Sequence, residues 1–176
     1  MLSGRYELVE VGRRELDIAD PLEVQKYLAD LRPAYILNTA AYTRVDEAES
    51  DQESAYRVNE KAVGLLADWC QGNSCRLLHI STDFVFDGDA TSPYSVDSET
   101  GPLSVYGASK LAGEMQVTSC LPSSGIVVRT SWLYSEYGQN FVKTMLSLMS
   151  EGRNVRVVCD QIGSPTSAHT LCRYIA

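Results

Sequence analysis

The sequence has no apolar run near the roughly 20 residues that a helix needs to cross a bilayer, which excludes a single-pass membrane span. It has no excess of positive charge: the formal net charge is −8. That excludes a sequence-independent nucleic-acid binder, which needs a basic face to release counterions. It does not exclude an anionic small molecule, which a few local cations can hold. The five cysteines form no C-x-x-C pair and no Cys/His spacing suited to a metal, so reduced, mostly buried thiols and no metal are expected. No H-E-x-x-H, P-loop or G-x-S-x-G is present. The N-terminal "MLSGRYELVEVGRRELD" alternates and carries charge, unlike a signal peptide, and the location expected is cytoplasmic.

What remains is a chain of 176 residues, 44% hydrophobic and 22% charged, enough for one domain with a core. "YELVEV" (6–11) reads as a strand. Asp20-Pro21-x-Glu23 reads as a helix start, with an N-cap acid, proline at the first helical position and a glutamate reaching back. Val24, Leu28 and Leu31 mark the buried stripe of that helix, and Arg32-Pro33 ends it. "AYILN" (34–38) reads as a strand buried on both faces. Ser50-x-x-Glu53 opens a helix that Gly72 stops. "RLLHIS" (76–81), "GIVVRTSW" (125–132) and "VRVV" (155–158) read as strands, and Phe141, Met145 and Leu148 mark a helix. Alternating strands and helices predict an α/β protein with a doubly wound parallel sheet, Rossmann-like. Ligands in such sheets bind beyond the carboxyl ends of the strands.

One such place carries chemistry. In "LSVYGASKLAGE" (103–114), Tyr106 lies four residues before Lys110, on one helix face. A unit charge about 5 Å from a phenol, at an effective dielectric near 20, is worth roughly 3 kcal/mol. That would bring a phenol from about 10 toward about 8, where it can give a proton to a carbonyl oxygen as hydride arrives. Thr82, ending the "LLHIST" strand, could fix that carbonyl. His79, inside the strand, reads as a packed core residue, and the acidic "VDEAESDQE" (45–53) as a solvated helix start in which only Asp46 could face a ligand. Asp87 and Asp89 read as a polar turn.

Y-x-x-x-K on a helix after a strand ending in Ser-Thr resembles the extended short-chain dehydrogenase/reductases. The segments "LDIADPLEV", "LRPAYILNTAAYTRVDEAESD", "HISTDFVFDG", "PLSVYGASKLAGE", "VVRTSWLYSEYGQNFVKTML" and "DQIGSPT" together resemble the dTDP-4-dehydrorhamnose reductase family over nearly the whole chain. The resemblance implies NADPH, or NADH, as the cofactor and a dTDP-sugar as the partner, and leaves a homodimer open. It implies Tyr106 as general acid, Lys110 as its tuner and ribose anchor, and Thr82 as the hydroxyl that polarises the sugar ketone. Asp17 and Ile18 would lie along the adenine, Ala40 and Ala41 over the ribose and phosphates, and Ser81 beside the nicotinamide. Thr43, Val45, Asp83, Phe84 and Trp132 would line the sugar-nucleotide site. The family often has tyrosine where this chain has Phe84.

Arg13 and Arg14 could meet a 2′-phosphate or be solvated surface arginines. The family opens with a strand and Gly-rich turn that this sequence does not show. The expectation is therefore one NAD(P)-binding Rossmann-like domain over 1–176, truncated at both ends, with sheet edges left unpaired, poor dinucleotide binding and little turnover alone. The regulatory β subunit of methionine adenosyltransferase resembles the same family, so a non-catalytic role is the alternative, as is another nucleotide-sugar reductase or epimerase.

Overall fold

The computed structural model describes residues 6–176. Two compact units emerge: Val11–Arg129, and Thr130–Ala176 together with the described residues up to Glu10.

The larger unit begins with a turn in which Glu15 and Leu16 donate their N–H groups to Gly12 O. Helix α1 (Pro21–Leu31) starts as expected, with the Asp20 carboxylate accepting from Leu22 N and Glu23 N. Glu23 does not close a capping box; its Oε2 accepts from Asp17 N at 3.0 Å and ties down the preceding turn. Arg32 ends the helix in the left-handed conformation, φ 49°, which frees the chain to turn at Pro33. Val24 and Leu28 are buried, but Leu31 is exposed: the last turn reaches beyond the core.

Strand β1 (Tyr35–Asn38) pairs in parallel with β2 (Arg76–Thr82), Tyr35 opposite Arg76 and Asn38 opposite His79. The sheet order is β1-β2-β3, with β3 at Gly125–Thr130. Among the described residues β1 is thus an edge strand of this sheet. That corrects the expectation of burial on both faces, since Tyr35 and Leu37 are exposed. Between β1 and β2 run α2 (Val45–Ala48), α3 (Gln52–Tyr56), a π-helical segment (Arg57–Lys61) and α4 (Ala62–Gly72). Asp51, not Ser50, precedes the first residue of α3, and the Ser50 hydroxyl instead donates to Glu47 O at 3.0 Å. A 3-10 turn (Asp83–Val85) and a long loop lead to α5 (Val105–Cys120), which Ser104 caps by accepting from Gly107 N. Val63, Leu66, Ala67, Leu77, Val117 and Leu121 pack the core between α4, α5 and the sheet.

Two glycines bring α5 against its neighbours. A Cβ on Gly107 would overlap the Phe84 carbonyl oxygen, and one on Gly113 would overlap Asn59 O in the π segment. Both obstacles are backbone and cannot rotate away. Gly113→Ala should cost about 1–3 kcal/mol despite alanine's better helix propensity. A fall in the urea midpoint with unchanged m-value would show it; an unchanged midpoint would mean the helix can slide.

In the smaller unit, β4 (Leu133–Tyr134) pairs in parallel with β5 (Thr166–Ser167), and α6 (Phe141–Ser150) and α7 (Ala168–Ile175) follow β4 and β5 respectively. Two expected strands are absent among the described residues. Residues 6–11 and 155–158 join no ladder, and Val155, Val157 and Val158 are exposed. Their alternation marks an extended backbone, but a strand also needs a neighbour to take its N–H and C=O groups. No described helix is long and apolar enough to cross a membrane, and no described cluster of His, Cys, Asp and Glu could hold a metal.

Candidate active site

The site forms where β2 ends against the first turns of α5. Ser81 and Thr82 close β2 and are buried. The chain then turns sharply: Thr82 Oγ1 accepts from Phe84 N and donates to Asp83 Oδ1, each at 3.2 Å. This turn presents Asp83 half-buried and Phe84 exposed. The Phe84 ring meets Tyr106 edge to face, centroids 5.6 Å apart. Tyr106 also packs on Tyr42, Ala48 and Ala55, so its ring is wedged between the turn after β2 and the α2–α3 region.

Burial raises the Tyr106 phenol above its ordinary 10.0, a hydrogen bond with the Thr82 side chain offsets part of this, and the Asp83 charge adds to it. The lowering toward 8 expected from Lys110 is not found. Lys110 shares the helix face, but its amine points into the end of the sheet. There Nζ donates to Ile80 O at 2.7 Å and lies 3.1 Å from His79 Nε2. Only 2% of Lys110 is exposed, and burial lowers its pKa from 10.5 to about 8, the Glu114 charge opposing. Asp83 is itself raised by burial. The phenol is thus a firmly protonated donor.

His79 is buried as expected, yet it is more than packing: its Nδ1 lies 3.0 Å from Asn38 Nδ2. Asn38 Oδ1 in turn accepts from Ala40 N at 3.1 Å and shapes the loop after β1. In that loop Ala40 is exposed and Ala41 half-buried, and neither adds bulk beside the strand end. Asn59, in the π segment, is fully buried. Its Oδ1 accepts from Tyr42 N at 2.8 Å, and its Nδ2 donates to Tyr42 O at 3.1 Å and Ser109 Oγ at 3.0 Å. Such π turns often mark functional sites. Sequence reading passed over Asn59; the signal was an amide among apolar residues in a buried element. It also passed over Glu114, whose carboxylate takes Arg129 in a bidentate pair at 2.6–3.2 Å.

The remaining expected site residues are spread. Asp17 and Ile18 lie in the turn before α1, where Asp17 Oδ1 accepts from Ala19 N and Ile18 packs on the core. Thr43 is exposed and Val45 half-buried around the start of α2, and Asp46 is exposed there. Arg13 and Arg14 are exposed. Trp132 belongs to the smaller unit. There it has a left-handed backbone, φ 45°, uncommon for a bulky residue. A Cβ on Gly163 would come within 2.9 Å of the indole, so the "DQIGSPT" segment lies close under it.

A strand-end hydroxyl, a wedged phenol and a lysine one turn on, at the carboxyl end of a parallel sheet, define a Rossmann-like α/β protein with a ligand site in the usual place for that fold. The profile of the family described as "RmlD substrate binding domain" matches residues 2–176, and the chain belongs to that family. It is 47% identical over 162 residues to a dTDP-4-dehydrorhamnose reductase of Sinorhizobium fredii, an alignment covering 92% of this chain and 54% of that one. It is 42% identical over 176 residues to a dTDP-4-keto-6-deoxy-D-glucose reductase of Streptomyces niveus, covering 61% of that protein. A crystal structure of dTDP-4-dehydrorhamnose reductase from Bacillus anthracis in complex with NADP superposes with TM-score 0.94 at 40% identity, over 98% of this chain and 61% of that one. The chain therefore spans little more than half the length of these relatives.

Proposed function

We infer that this chain serves the reduction of dTDP-4-dehydro-β-L-rhamnose to dTDP-β-L-rhamnose, in dTDP-rhamnose biosynthesis, acting over residues 1–176 as one NAD(P)-binding domain. The observation that carries the reading is the Tyr106–Thr82 pair: a protonated phenol and a hydroxyl together at the strand end. Reduction of a ketone needs a proton donor for the carbonyl oxygen, and the Tyr106 phenol carries its proton at neutral pH, although burial makes it a weaker acid.

The residues present fit a dinucleotide. Ala40 and Ala41 leave the β1 end open to a phosphorylated ligand, and Lys110 has no anionic side chain within 4.0 Å among the described residues. Asp17, Ile18, Ala40, Ala41, Ser81, Tyr106 and Lys110 would hold NADPH, which when bound supplies the hydride. Thr82 hydrogen-bonds the ketone oxygen and orients it toward Tyr106. Tyr106 Oη transfers its proton to that oxygen. Thr43, Val45, Asp83 and Phe84 would line the sugar-nucleotide site; Phe84 contributes a ring edge and no hydroxyl. A cytoplasmic location and a homodimer complete the proposal, read by fractionation and light scattering.

The test is ketosugar-dependent loss of reduced-nicotinamide absorbance, run with wild type and Tyr106→Phe. Removing the proton donor should lower kcat by on the order of 100-fold or more with KM little changed. Equal rates would overturn the role of Tyr106. A second reading has support in the Streptomyces niveus relative, whose name specifies a dTDP-4-keto-6-deoxy-D-glucose. Comparing the two ketosugars in the same assay decides between them. The Sinorhizobium fredii and Streptomyces niveus relatives are both reductases by name, which does not favour the regulatory-subunit alternative.

A further inference from the structure

The buried polar chain behind Lys110 has a direction. Ala40 N–H donates to Asn38 Oδ1 at 3.1 Å, which fixes the amide orientation, because the reverse would set two donors face to face. Asn38 therefore turns its NH₂ toward His79, 3.0 Å from Nδ1. Nδ1 must then be the accepting nitrogen of a neutral imidazole, and Nε2 carries the proton. That N–H is 3.1 Å from Lys110 Nζ. An ammonium has no lone pair to receive it; an amine has one, and can still donate to Ile80 O at 2.7 Å.

The geometry points to Asn38 and His79 as positioning residues that favour the neutral amine of Lys110 over its ammonium, a bias that is released when ligand oxygens draw Nζ away from the imidazole. This rests on the reductase reading for the identity of the ligand, a dinucleotide ribose. The lock itself stands without it.

The surrounding charges are consistent with an amine. On α5, Glu114 is the charge that favours the ammonium, and its carboxylate is already clamped by Arg129 of β3. Tyr106, on the same helix, is a protonated phenol. From β2 comes His79, held neutral by burial, its pKa lowered to about 3. Beyond β2, Asp83 hydrogen-bonds Thr82 and its field falls on Tyr106. Glu49, between α2 and α3, accepts from Val105 N at the start of α5. The π segment offers α5 the neutral Asn59. Above about pH 8, proton uptake on ligand binding would place a positive charge beside the phenol when the ligand arrives.

The decisive experiment is nitrogen NMR of the full chain with ¹⁵N-labelled histidine, without nucleotide. There are two histidines, and His169→Gln assigns the other. The expected result is His79 as a single neutral tautomer with its proton on Nε2. A proton on Nδ1, or on both nitrogens, at about pH 9, where Lys110 is mostly the amine, would overturn the lock. Asn38→Asp, nearly isosteric, presents an acceptor to Nδ1 and reverses the chain. The proton should move to Nδ1, and the Lys110 midpoint, followed by ¹³C-lysine NMR, should rise by at least about tenfold in proton affinity. An unmoved midpoint would also overturn it. Calorimetry with NADPH at about pH 9, in buffers of different ionisation enthalpy, should then show uptake of about one proton. Binding without uptake counts against the lock. Absence of binding counts against the reductase reading, while the tautomer still decides the lock.

Discussion

Arg129→Met is expected to destabilise the chain by about 3–5 kcal/mol, the cost of leaving a buried carboxylate without its partner. Glu114 is 4% exposed and sits on the sheet-facing side of α5. Arg129 reaches it from β3 with Nε on both oxygens, at 3.0 and 3.2 Å, and Nη2 on Oε2 at 2.6 Å. The fork geometry matches the carboxylate, which is why lysine could not substitute. The same guanidinium lies over the Phe86 ring, 4.9 Å from its centroid, so the substitution also loses a cation–π contact. The pair need not be net stabilising, because desolvating two charges offsets much of their attraction. That makes the double variant informative. Glu114→Met with Arg129→Met should recover most of the loss, giving a coupling of about 2 kcal/mol or more in a urea-unfolding cycle. A single-variant cost under about 1 kcal/mol would mean that solvent reaches Glu114 and the pair acts as a surface bridge.

This pair also bears on the site. With Arg129 present, Glu114 is occupied and Lys110 turns instead to His79 and Ile80 O. The face shared by Tyr106 and Lys110, four residues apart, was legible from spacing alone. So were the Asp20 cap, Pro21 at the helix start, and Thr82 at the end of β2, because each depends on residues adjacent in sequence. The direction of the Lys110 amine was not. A four-carbon stem can follow its helix face and still turn its tip into the sheet, and the groups that draw it there come from another element. His79 and Asn38 lie 41 residues apart and meet only because β1 and β2 pair in parallel with those two residues opposed. Asn59 meets Tyr42 and Ser109 through a π turn that no local pattern announced. The strands expected at 6–11 and 155–158 failed for a related reason: alternation fixes the backbone's shape but not its neighbour. Sequence reading located the helix starts and the Tyr106–Lys110 face, missed the partners of Glu23, Ser50 and the Lys110 amine, and was silent on contacts that required the sheet.

Lys110→Met should remove an alkaline rise of stability. The unfolded lysine takes its proton at 10.5, the folded one at about 8. Between those values the unfolded chain binds more protons, so stability rises with pH through that window. The burial penalty is therefore full below about pH 7 and gone above about pH 11, and the interval corresponds to about 3 kcal/mol. Lys110→Met has no such group. It also leaves Ile80 O and His79 Nε2 without their partner, a cost of about 1–3 kcal/mol for each stranded group. That cost does not change across the window, because His79 is neutral above its unfolded value of 6.5 and its folded value is about 3. Other groups cancel in the difference between the two proteins. Whatever the variant's standing at neutral pH, its stability relative to wild type should fall by about 3 kcal/mol between pH 7 and 11, read from urea midpoints at several pH values. A difference that stays flat would mean that Lys110 ionises alike in both states, and the buried amine would then be an ordinary solvated lysine.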